Sequence, residues 1–105
     1  MIIQDSIDSQ LKGCLAFLSL TEHLSSKSAE TIGLALIIGL INSIDRADNE
    51  EINAIADVWF QYVSKFRSKE SNIQAVLIMK LNDFRYSKRK EILKVFSDRH
   101  LLNVM

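Results

Sequence analysis

Not one of the 105 residues is proline, and only three are glycine. Average usage would place about five prolines in a chain of this length. Proline lacks a backbone N–H and clashes with the preceding helical turn, so its absence leaves long helices uninterrupted. Hairpin chemistry is missing as well: the sequence has no Asn-Gly, Asp-Gly or Gly-Gly pair. Hydrophobic spacing points the same way. Ile52, Ile55, Ala56, Trp59, Val63 and Phe66 recur every three or four residues, which places them on one face of a helix over roughly 49–67. Asp48 precedes that stripe, and Glu50 and Glu51 fall in its first turn, where acidic groups complement a helix N-terminus.

Four further helices follow from the same reasoning. Ile7, Leu11, Cys14, Leu15 and Leu18 predict a first helix from about Ser6 to Leu24. A polar break at Ser25, Ser26 and Ser28 follows, with Ser28 placed to cap a second helix over 29–45. That helix is apolar around nearly its whole circumference, and Gly33, Ala35 and Gly39 predict close approach by a neighbour. Ser71 with Gln74 reads as a capping box opening a fourth helix through about Phe84. Ser87 opens a fifth, running to about Leu102. Short connections predict antiparallel neighbours, so the expected fold is all-α: one antiparallel bundle of about five helices over 1–105.

Composition bounds the class. An apolar share of 48% with balanced charge is that of a globular core rather than a disordered tail. Cys14, the single cysteine, forms no internal disulfide and suits a reducing compartment. The acidic start is unlike a signal peptide, and the longest apolar run, Ile32 to Ile41, is about half of what a bilayer core requires. A cytoplasmic protein, off the membrane, is the expectation.

Motifs that carry chemistry are largely missing. There is no G-x-G-x-x-G, no phosphate loop with its lysine and no G-x-S-x-G elbow. His23, His100 and Cys14 stand apart, without the paired spacing that fixes a metal, so neither metal nor cofactor is expected. The acidic run from Asp45 to Glu51 lacks the alternating oxygens and glycine of a calcium loop and reads as a helix cap. Cys14 lies on an apolar stripe and reads as core. Trp59, Phe60, Tyr62 and Phe66 read as core rather than as a ligand cage.

Three features carry functional content. The first is the segment from His23 through Lys27, Ser28, Ala29, Ile32 and Gly33. It is similar to the phosphoacceptor segment of histidine phosphotransfer domains, where a helical His precedes Lys, small residues and an apolar-Gly pair. Ile37, Leu40, Ile44 and Asp45 continue the spacing of that family. The resemblance implies His23 as acceptor of a phosphoryl group from a response regulator, with Lys27 as a nearby balancing charge. Ser26 stands where the family carries a basic residue, Lys27 stands where it carries a small one, and only 22 residues precede the His.

The second feature is a charge split hidden in the zero net charge. Residues 1–60 hold three basic and nine acidic side chains, whereas 61–105 hold ten and four. Arg85, Lys88, Arg89, Lys90 and Lys94 crowd one segment; Asp45, Asp48, Glu50 and Glu51 crowd another. The basic segment permits a helix-turn-helix reading with nucleic acid as ligand. Both groups together suit docking to a complementary protein. The third is excess hydrophobicity in 29–45 and 73–84, which suits two central helices or a partner or dimer surface. The expected function is that of a small non-catalytic interaction module, whether regulator, adaptor, chaperone or immunity-type protein. Its two charged groups are the candidate partner-binding residues, with phosphotransfer and nucleic-acid binding as alternatives.

Overall fold

A computed structural model describes residues 6–21, 25–99 and 101. Five α-helices make up the fold: α1 (Ile7–Leu20), α2 (Ser26–Asn42), α3 (Asn49–Lys65), α4 (Glu70–Leu81) and α5 (Tyr86–Asp98). Single 3₁₀ turns at Ile44–Arg46 and Arg67–Lys69 lead into α3 and α4. The chain is an all-α bundle.

Helix α2 packs between α1 and α4, while α3 packs on α1 and α2 and carries α5. The molecule is a slab of 41 × 41 × 20 Å. Its short dimension is that of two helix layers, at about 10 Å each. The core lies between the layers, where Ile37, Leu40, Ile41 and Ile44 meet Ile52, Trp59 and Tyr62 of α3, Leu77 of α4 and Phe96 of α5. Trp59 stands edge-on to Phe96, with ring centroids 4.9 Å apart. Phe60 points out of this core, with 53% of its surface exposed.

Helix α3 begins as its sequence reads. Asp48 is the N-cap; its Oδ1 accepts from the Glu51 N–H at 2.8 Å, and Glu51 Oε1 accepts from the Asp48 N–H at 3.0 Å. Such a reciprocal pair satisfies two otherwise orphaned donors. Elsewhere the caps differ from expectation. Helix α2 starts three residues earlier, because Ser25 rather than Ser28 supplies the capping oxygen; the Ser28 N–H is its donor, at 3.2 Å. Ser71 and Gln74 form no capping box. Lys69 precedes α4 without a side-chain cap, and Gln74 Nε2 donates instead to the Leu101 carbonyl at 2.8 Å. Arg85, not Ser87, occupies the N-cap of α5, again without a capping side chain.

Close approach occurs at Gly33 alone of the three small positions on α2. A Cβ there would lie 2.5 Å from Tyr62 Cε2, so the glycine lets the ring of α3 lie against α2. The Tyr62 hydroxyl then donates to the Glu30 carbonyl at 2.7 Å. Gly39 has open space in the direction a Cβ would take, and Ala35 is exposed, so neither receives a neighbouring helix within the fold.

The two halves of the charge split partly neutralise one another. Lys69 pairs with Glu30 at 3.4 Å, and Arg99 pairs with Asp57 at 3.1 Å. The Arg99 fork also reaches Asn53 Oδ1 at 2.8 Å, fastening the end of α5 to α3. Lys65 Nζ donates to the Leu18 carbonyl and Thr21 Oγ1, placing a cation at the C-terminus of α1.

Two buried acids give the fold an alkaline limit. Burial pushes the Cys14 thiol up to about 11. Burial, and then the nearby Glu30 charge, pushes the Tyr62 phenol up to about 12. The unfolded chain releases these protons at lower pH than the folded chain, so raising the pH favours unfolding. Urea midpoints are therefore expected to fall between about pH 9 and pH 11, and less steeply in Cys14→Ala. Equal midpoints across that window would contradict the burial of both groups.

Candidate functional site

The C-terminus of α2 and the turn that follows it face the α4–α5 connection across an open cleft of about 630 Å³. Asn42 and Asp45 line one side; Lys80, Asp83, Phe84, Arg85, Ser87 and Lys88 line the other. The position of each follows from local structure. The 3₁₀ turn at Ile44–Arg46 anchors Ile44 in the core and leaves Asp45 exposed beside it. Lys80 sits in the last turn of α4, where a cation complements the helix dipole. Asp83 through Arg85 form the connection, and Ser87 and Lys88 lie in the first turn of α5.

Opposite charges share this cleft without cancelling. Among the described residues, no hydrogen bond or ion pair engages the side chains of Asp45, Lys80, Asp83 or Arg85. Lys88 is different: its Nζ donates to the Ala47 carbonyl, pinning α5 to the turn before α3. The N-cap of α5, Arg85, contributes no capping side chain.

The sequence candidates thus divide. Asp45, Arg85 and Lys88, distant in the chain, come together at the cleft. Asp48 and Glu51 serve the cap of α3, and Glu50 is exposed on its first turn. Arg89 turns back on its own connection, with Nη2 donating to the Phe84 carbonyl at 3.2 Å and its Nε buried without a partner. Lys90 and Lys94 are exposed on α5, away from the cleft lining. Lys80 and Asp83 are not among the candidate residues read from the sequence; their opposite charges three residues apart at a helix end are the signal that marks them. His23 lies outside the described residues, and Lys27 is exposed near the start of α2.

Among the described residues no group of three or more His, Cys, Asp or Glu side chains is placed to hold a metal ion. The stretch Lys27–Arg46 is long and apolar enough to cross a membrane by length and composition, and 39% of its apolar window is buried in the fold. Comparison of the chain with protein families, with curated proteins and with solved structures gives no match.

Proposed function

We propose that this chain is a non-catalytic interaction module, a regulator, adaptor, chaperone or immunity-type protein, that docks a partner protein at the α2–α5 cleft. The observation that carries the reading is the set of uncancelled charges: Asp45 and Asp83 beside Lys80 and Arg85, on a lining completed by Asn42, Phe84, Ser87 and the backbone-bonded Lys88. Charges of both signs in fixed positions discriminate among protein surfaces better than they attract any one of them, because a mismatched partner meets like charge or leaves a carboxylate unpaired. The Lys88 bond to the Ala47 carbonyl supports this by fixing one wall of the cleft against the other. A single buried cysteine suits work in the cytoplasm.

Tagged protein is expected to retain a partner from nuclease-treated extract of its native host, and Arg85→Glu to lose it. Equal retention by Arg85→Glu would contradict docking at the cleft. Nucleic acid is the second reading, favoured by the exposure of Lys90 and Lys94 on α5; retention that nuclease abolishes would support it instead.

A further inference from the structure

We draw no further inference here: the strongest candidate, the apolar surface patch that α2 and α4 expose through Ile32, Ile78 and Met79, has nothing in the structure to show what covers it.

Discussion

Replacing Trp59 by alanine is expected to cost about 3–5 kcal/mol, a large part of the about 5–15 kcal/mol available to a domain of this size. The side chain is completely buried, at the place where α3 meets α5, and its ring is held edge-on by Phe96. Its removal leaves a cavity that helices fixed on other sides cannot collapse to fill. The bonds from Arg99 to Asp57 and Asn53 would still hold the end of α5 at its present place on α3, so the helices are not free to shift and close the void. Trp59→Phe is expected to cost much less, because Trp59 Nε1 is buried without a hydrogen-bond partner and phenylalanine removes that unsatisfied donor. Urea unfolding of the three proteins checks both statements. Equal losses for Ala and Phe would contradict the packing of the aromatic ring between α3 and α5.

Glycine substitutions along the chain are expected to change sign with position. Gly33→Ala places a methyl 2.5 Å from Tyr62 Cε2 and 3.3 Å from Phe17 Cε1. Neither ring is the loose end of a flexible chain; Tyr62 is fully buried and tied through its hydroxyl to the Glu30 carbonyl. Overpacking of this kind costs about 1–3 kcal/mol, against about 1 kcal/mol gained from alanine in a helix, for a net loss of up to about 2 kcal/mol. Gly13→Ala, in the interior of α1 with open space around it, keeps the gain and loses nothing. Thermal melts of the two variants should move in opposite directions. A rise for Gly33→Ala would contradict the packing of Tyr62 on α2.

The helices were legible because the core here is built by faces at helical spacing. The stripe from Ile52 to Val63 is buried as its periodicity requires, and Asp48 and Glu51 cap α3 through bonds contained within four residues. What stayed hidden depended on contacts far apart in the chain. Ser71 and Gln74 have the right spacing for a cap, yet Gln74 is drawn to a carbonyl 27 residues away. In the serine-rich break, Ser25 and Ser28 carry the same chemistry, and only the placement of α2 distinguishes cap from donor. Gly33 and Gly39 look alike in sequence, but only Gly33 faces an aromatic ring.

The cleft shows the same division. Asp45, Arg85 and Lys88 stood out as charges, but their meeting depends on α2 and α5 ending side by side. The basic segment also looked like one surface, and α5 distributes it around its circumference. Lys88 and Arg89 bond to backbone carbonyls of this chain, whereas Lys90 and Lys94 face outward. Position on the helix, rather than the sum of charges, therefore decides which cations remain for a partner.

Charge reversal on the two sides of α5 tests docking at the cleft most directly. Wild type, Arg85→Glu and the double variant Lys90→Glu/Lys94→Glu would be compared for retention of a host protein after nuclease treatment, with circular dichroism confirming that each is helical. Docking through the cleft requires that Arg85→Glu reduce retention about 10-fold or more while the double variant behaves nearly as wild type. Retention lost in the double variant and preserved in Arg85→Glu would contradict it, and would move the binding surface to the outer face of α5.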